Sequence, residues 1–215
     1  MSYNFIAETR RLIEAVAFIQ DEYSSYERDI LECVFTKEKY SIQMIMNSIQ
    51  YPNFIYDLVR IIMFDFIIGN SDRHHSNFGF LVNKDTGNNI EFAPLYDNGS
   101  SLCAYIDSED VDNIINDKMK FESLVNTKSK SAIGWENIRP IRHLDLIEQI
   151  RNNYYDETIS LVEIIKNNIN AESIDNILNN FDNSIIDSKI KLLVKEFLLE
   201  KVKRLIEIYS LKGEN

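Results

Sequence analysis

A short β-hairpin inside a chain of otherwise helical periodicity is the feature that most constrains this fold. The apolar runs 78–82 and 90–93 flank a polar turn in which Gly87 supplies the positive φ that a tight turn needs. Elsewhere the apolar residues recur at three- and four-residue spacing, which is typical of amphipathic helices. The pattern predicts a mainly α (α+β) architecture with one small hairpin, and a polar loop lies at each end of that hairpin.

The expected helices lie on both sides of the hairpin. Asn53 is placed to cap a long apolar helix, and Gly69 is placed to end it. Between 95 and 134 the chain is rich in Asp, Asn and Ser, so we expect irregular structure with one short helix near 110–119. The other helices are expected at 4–23, 26–35, 41–49, 144–154, 157–169, 171–181 and 184–211.

Length and composition predict one globular domain over residues 1–215 in the cytoplasm. Lys plus Arg total 23 against 34 acidic residues, a net charge of −11. We expect no direct binding of nucleic acid, because that binding depends on Lys and Arg at the phosphates. Cys33 and Cys103 fit no zinc spacing and are expected to be reduced thiols. The sequence shows neither a secretion signal nor an apolar run approaching the ~18 residues of a membrane span, so no membrane contact is expected.

The two polar loops hold a set of residues suited to phosphoryl transfer. Asp72 and Asn77 have the Asp-x4-Asn spacing of a kinase catalytic loop. Across the hairpin, Asp97 follows the second apolar run and precedes Gly99 by two positions, which resembles a kinase metal site in outline. In-line transfer needs a carboxylate near the incoming hydroxyl and oxygen ligands that hold Mg²⁺ against the phosphates. The hairpin fixes the separation of the two candidate metal ligands, Asn77 and Asp97.

These loops resemble the C-terminal lobe of HipA-type proteins, which are bacterial serine/threonine kinases found as toxins of toxin–antitoxin systems. More distantly, Asp-Arg-His-x-x-Asn is similar to the catalytic loop of phosphatidylinositol kinases. The matching segments are 64–74, 77–81 and 93–102. The resemblance implies a protein-kinase-like C-lobe that uses ATP and Mg²⁺ to phosphorylate a protein serine or threonine.

The resemblance also implies roles for single residues. Asp72 takes the place of the catalytic aspartate, and His74 takes that of a catalytic-loop histidine. Asn77 and Asp97 take the places of the metal ligands that hold the nucleotide. Arg73 is placed at the cofactor site as a phosphate contact, although pairing with a carboxylate such as Asp65 is an equal alternative.

Three further expectations concern structural residues and a possible metal site. Asp65 lies on the apolar helix and is expected to hold the catalytic loop by hydrogen bonds. His74 and His75 are adjacent, and adjacent residues seldom bind one ion together, so a zinc site is not expected. Trp135 is expected to be a core residue.

The sequence departs from a complete kinase, which has a small N-terminal lobe with a Gly-rich loop and a strand lysine. No Gly precedes Gly69, and Lys37 and Lys39 lie in a polar stretch unsuited to a buried strand. Three explanations stay open. The chain is half of a split kinase whose small lobe is a separate protein, it is a lone lobe without catalysis, or it is a compact kinase with a different phosphate-binding element. A lone lobe could serve as an antitoxin, scaffold or immunity factor, and a lipid or small-molecule kinase is a further alternative. The expected partners are an N-lobe protein, a helix-turn-helix antitoxin and a protein substrate.

Overall fold

The computed structural model describes residues 6–210. These residues form two compact units, one from residues 6–58, 72–98 and 132–140 and the other from 59–71, 99–131 and 141–210. The single domain over 1–215 stays a prediction. No helix among the described residues is both long enough and apolar enough to cross a membrane.

The first unit contains a three-stranded antiparallel sheet and short helices. Its strands lie in the order β1 (Arg10–Glu14), β4 (Gly79–Asn83) and β5 (Glu91–Phe92). The predicted hairpin is the β4-β5 pair, with Phe80 opposite Phe92. Gly87 has φ 70° in the connecting turn, as predicted. The elements are β1 (Arg10–Glu14), α1 (Ala15–Glu22), β2 (Tyr26–Glu27), β3 (Glu32–Cys33), α2 (Ile42–Ser48), the start of α3 (Phe54–Ile68), β4 (Gly79–Asn83) and β5 (Glu91–Phe92).

Close packing at β4 fixes where the sheet begins. A Cβ on Gly79 would lie 2.3 Å from the backbone oxygen of Ile13 on β1, so the register requires glycine there. The next residue, Phe80, is fully buried, and its ring contacts those of Phe18 and Phe54 with centroids 5.4 and 5.5 Å apart. The sheet is therefore anchored on an aromatic cluster directly after the polar loop.

Of the helix predictions before the hairpin, the one over 4–23 is wrong in part and the one over 26–35 is wrong entirely. Within 4–23, residues 10–14 form β1 because they pair with β4 along its whole length, while the helix is confined to Ala15–Glu22. Residues 4 and 5 lie outside the described range. Within 26–35 there is no helix, because β2 and β3 pair as a second small hairpin with Tyr26 opposite Cys33, and Leu31 has φ 53° between them. In both cases strand pairing overrides a locally helical pattern, with a remote partner for β1 and a neighbouring one for β2.

The helices at 41–49 and 53–69 are confirmed as α2 and α3. Ser41 caps α2 by accepting a hydrogen bond from the Met44 N–H at 3.3 Å. Asn53 has φ 60°, which differs from the extended backbone typical of an N-cap. Gly69 follows the last residue of α3 with φ 68°, as a C-terminal glycine does.

The second unit is helical apart from one two-stranded pair. Its longest helix packs against four others and carries the buried residues Leu193, Phe197 and Leu205. The four helices predicted after Pro140 are confirmed, with ends that differ by a few residues. Two short helices replace the single one predicted near 110–119. The elements are the end of α3, α4 (Val111–Asn116), α5 (Lys118–Glu122), β6 (Lys130–Ser131), β7 (Ile141–Arg142), α6 (His143–Asn153), α7 (Tyr155–Asn168), α8 (Ala171–Leu178) and α9 (Ser188–Ser210).

Candidate active site

Residues 72–78 lead into β4 and carry most of the predicted site residues. The backbone carbonyls of His75 and Phe78 each accept a hydrogen bond from the first turn of α1, at 3.0 Å from the N–H of Val16 and of Ala15. Within the loop, the Asn77 N–H donates to the His74 carbonyl at 2.9 Å. The loop is therefore held to the first unit by backbone hydrogen bonds at both ends, and its side chains project from a fixed frame.

Arg73 joins this loop to the segment that follows β5. Its side chain is 1% exposed. Nη1 donates to the Asn77 carbonyl at 2.7 Å and to the Tyr96 carbonyl at 2.8 Å, and Nη2 donates to Asn98 Oδ1 at 2.5 Å. The planar fork of the guanidinium spreads its donors over separate nitrogens, which suits acceptors that lie apart from one another. Arg73 thus fixes the spacing between the Asp72–Asn77 loop and the segment that carries Asp97.

Asp72 and Asn77 are linked within the loop. Asn77 is 4% exposed, and its Nδ2 donates to the Asp72 carbonyl at 2.7 Å. Because Nδ2 makes this bond, Oδ1 is the amide atom left to accept or to bind a cation. The Asp72 residue itself is exposed. The arrangement places a surface carboxylate and an anchored amide oxygen in one short loop.

Asp97 lies in the segment that Arg73 secures. It is exposed and has φ 53°, a left-handed conformation that Asp tolerates better than most residues. Its neighbour Tyr96 donates its hydroxyl hydrogen to the Ser76 carbonyl at 3.0 Å, which is a second tie to the loop. The structure therefore brings the loop and the Asp97 segment together, as the sequence predicted for the two ends of the hairpin.

The two adjacent histidines have different surroundings. His74 is half-buried, and its Nδ1 accepts a hydrogen bond from the Ser76 N–H at 3.2 Å. His75 is buried, and its Nδ1 lies 2.8 Å from the Tyr26 hydroxyl. Burial lowers the pKa of His75 to about 4, with a further contribution from His74, so its ring is neutral at pH 7. His75 is a packing residue under the loop, whereas His74 stays a predicted member of the site.

Asp65 belongs to the second unit and is buried there. Its Oδ1 accepts a hydrogen bond from Asn70 Nδ2 at 3.0 Å, and its carbonyl accepts one from the Asn70 N–H at 2.9 Å. Asn70 Oδ1 in turn accepts from the Ser100 hydroxyl at 2.7 Å. These bonds fix the end of α3.

The donor set of the first unit suits Mg²⁺. Asn77 Oδ1 and the Asp97 carboxylate are hard oxygen ligands, and Mg²⁺ combines one or two such groups with water and phosphate oxygens. Across residues 6–210 there is no group of three or more His, Cys, Asp or Glu side chains arranged to hold a metal.

Sequence reasoning missed how the site is braced. The sequence places Arg73 at the cofactor, but its side chain is buried and donates hydrogen bonds to Asn77, Tyr96 and Asn98. Contact with a cofactor stays a prediction. Asn98 also belongs to this brace, because its side-chain oxygen accepts one of the Arg73 hydrogen bonds. The only signal for either was an Arg directly after the candidate catalytic Asp, and that signal does not identify the acceptors.

Comparisons with known proteins agree with this description. The family model of the HipA-like C-terminal domain matches residues 20–169. The crystal structure of the Helicobacter pylori proinflammatory kinase CtkA superposes with a TM-score of 0.76 at 16% identity, covering 97% of this chain and 70% of CtkA. The search of curated proteins found no significant match. The predicted kinase-like fold is confirmed.

Proposed function

The chain belongs to the HipA-like C-terminal domain family, and on that premise we propose that it is the large lobe of an ATP- and Mg²⁺-dependent kinase for protein serine or threonine. One observation carries the proposal. Buried Arg73 hydrogen-bonds both the Asp72–Asn77 loop and the 96–98 segment, so the residues of the Asp-x4-Asn pattern and Asp97 belong to one braced surface.

Each residue is assigned one task. Asp72 accepts the proton of the incoming hydroxyl and orients its oxygen, which an exposed carboxylate on a fixed loop can do. Asn77 Oδ1 and Asp97 hold Mg²⁺, and the bound ion neutralises charge on the β- and γ-phosphates. His74 supports the loop at the reacting end. Arg73 is a positioning residue, since its hydrogen bonds are made to the loop and to the segment after β5.

The small lobe is proposed to come from a separate protein. The residues before Asp72 lack a glycine-rich turn, and Lys39 pairs with Glu32 in a surface hairpin, with Lys37 Nζ 3.8 Å from the same carboxylate. Neither lysine is thus available as the phosphate-holding strand lysine of a kinase. As the family resemblance implies, we place the protein in a cytoplasmic bacterial toxin–antitoxin system with a helix-turn-helix antitoxin.

Transfer of radiolabelled phosphate from ATP tests the proposal. The chain is assayed alone and with the product of the neighbouring reading frame, with generic and cellular protein substrates. We expect Mg²⁺-dependent transfer that falls at least 10²-fold in Asp72→Asn, since a general base contributes typically 10²–10⁴-fold. Asp97→Asn should raise the Mg²⁺ requirement, whereas Asp85→Asn in the exposed hairpin turn is the matched control and should keep full activity.

Two outcomes contradict the proposal. Transfer that is unchanged in Asp72→Asn would show that the carboxylate takes no part in the reaction. No nucleotide or Mg²⁺ binding under any pairing would favour the non-catalytic module, and transfer confined to lipid or small-molecule acceptors would replace the substrate class.

A further inference from the structure

Lys201 is a buried cation without a carboxylate partner. It lies on α9 of the second unit and is 0% exposed. No Asp or Glu among the described residues pairs with it, although burying an unpaired charge is costly. Its Nζ lies 4.6 Å from the centroid of the Phe66 ring and 5.3 Å from that of Phe197. The rings compensate part of the charge.

The one hydrogen bond of Lys201 leads to a cavity. Nζ donates to Ser129 Oγ at 2.8 Å. Ser129 lines an open cavity of about 150 Å³ within the second unit, together with Ser71, Ser100, Lys128 and Phe197. Because the Ser129 oxygen accepts from Lys201, its own O–H is left to donate, and Ser129 is one of the residues that line the cavity.

A second cation lies at the same cavity. Lys128 is exposed there and forms no ion pair among residues 6–210. Lys128 thus lines the cavity directly, and Lys201 is connected to it through Ser129, although the chain has a net charge of −11. The serine hydroxyls of Ser71 and Ser100 add polar groups to its lining.

We propose that this cavity is a binding site for a tetrahedral oxyanion, the phosphoryl or sulfuryl group of a small molecule. Lys128 contacts the anion directly, and Lys201 acts on it through the Ser129 hydroxyl. The anion is the missing counter-charge of Lys201. The proposal rests on residues of the second unit and does not depend on the kinase proposal.

Size decides the class of ligand. A cavity of about 150 Å³ is half the lower bound of roughly 300 Å³ for drug-sized ligands, but it is several times the roughly 30 Å³ of one water in the liquid. A single phosphate or sulfate group fits inside, and the rest of a larger ligand would extend out of the open cavity.

Titration of sulfate into the full-length chain tests the site, with sodium chloride added to keep the ionic strength constant. Binding is measured by calorimetry and by the shift of the urea midpoint. We expect Lys201→Met to remain folded, because an apolar side chain between two phenylalanine rings avoids a buried charge. Its affinity for sulfate should fall about tenfold, as for the loss of a charge-assisted interaction. Ser129→Ala should lose a similar factor, whereas Lys203→Met, an exposed residue of the same helix, should change nothing.

The pH dependence of binding gives a second readout. Burial lowers the pKa of Lys201 to about 7. The groups that face it do not titrate between pH 7 and 9: Cys103 has its pKa raised to about 12 by burial, His143 has its pKa lowered to about 3 by burial, and Arg204 keeps its charge beside Glu200. Sulfate does not change charge in this range. The affinity of the wild type should therefore fall as the pH rises above 7, by about tenfold in all, which is the loss expected for Lys201→Met, and the affinity of Lys201→Met should stay constant.

Each remaining outcome overturns the site. Equal sulfate affinity in Lys201→Met and Lys203→Met would show that the buried ammonium does not act on the anion. No binding by the wild type at millimolar sulfate would show that the cavity takes no oxyanion. Loss of binding in Asp97→Asn, with Lys201→Met unaffected, would place the anion at the kinase surface instead.

Discussion

Replacing Arg73 by lysine tests the brace that unites the candidate active site. The structure gives the guanidinium three hydrogen bonds, to the carbonyls of Asn77 and Tyr96 and to Asn98 Oδ1. A lysine ammonium keeps the charge but has no planar fork, so at least one acceptor and at most two lose their donor. A hydrogen bond to a charged group contributes about 1.5–3 kcal/mol. Because these bonds share one side chain, their contributions do not simply add, and we expect a loss of about 3 kcal/mol in the free energy of unfolding.

Urea unfolding followed by tryptophan fluorescence measures this loss. Trp135 is the only tryptophan, it is buried, and it belongs to the same unit as Arg73. The matched control is Arg28→Lys, since Arg28 also donates two hydrogen bonds, to Gln20 Oε1 at 3.1 and 2.8 Å, but on an exposed surface. The control should lose less than about 0.5 kcal/mol. An Arg73→Lys variant within about 0.5 kcal/mol of the wild type would refute the bracing role.

Two further predictions concern the first unit. Burial lowers the pKa of His75 from 6.5 to about 4, so the unfolded chain binds the proton more tightly and the free energy of unfolding should fall as the pH drops from about 6.5 to 4. His75→Gln should weaken this decline, and an unchanged pH profile of urea midpoints would contradict the assignment. Gly79→Ala should destabilise by at least about 3 kcal/mol because its Cβ would meet the Ile13 carbonyl, whereas Gly87→Ala, at φ 70° with open space, should cost only about 1 kcal/mol. Equal urea midpoints for the two glycine variants would contradict the strand register.

The local sequence pattern was sufficient to predict the β4–β5 hairpin and the helices of the second unit. The hairpin was predicted because Gly87 sits in a polar turn between two apolar runs, and its strands pair with each other. The helices of the second unit were predicted because their apolar residues recur with helical spacing. Their ends differ by a few residues, since helix termini depend on caps such as the Asn170 capping box.

Local pattern failed for β1, whose partner is remote, and for the small β2–β3 hairpin, whose residues have helical spacing. Residues 10–14 read as the first turns of a helix, but they are a strand because β4 lies almost 70 residues further along the chain. The same limit applied to the site. Spacing and resemblance identified Asp72, Asn77 and Asp97. The bracing role of Arg73 could not be identified, because its acceptors are two backbone carbonyls and an amide oxygen. Every residue has a backbone carbonyl, so the sequence does not show which of them accept a hydrogen bond.

Crystals of the chain, grown with Mn²⁺ and a non-hydrolysable ATP analogue, test the central claim most directly. Manganese takes the same hard oxygen ligands as magnesium and scatters anomalously. We predict an anomalous peak within coordination distance of both Asn77 Oδ1 and the Asp97 carboxylate, with the γ-phosphate directed toward Asp72, and no such peak in Asp97→Asn crystals. A nucleotide and ion bound with full occupancy elsewhere on the chain would contradict the account.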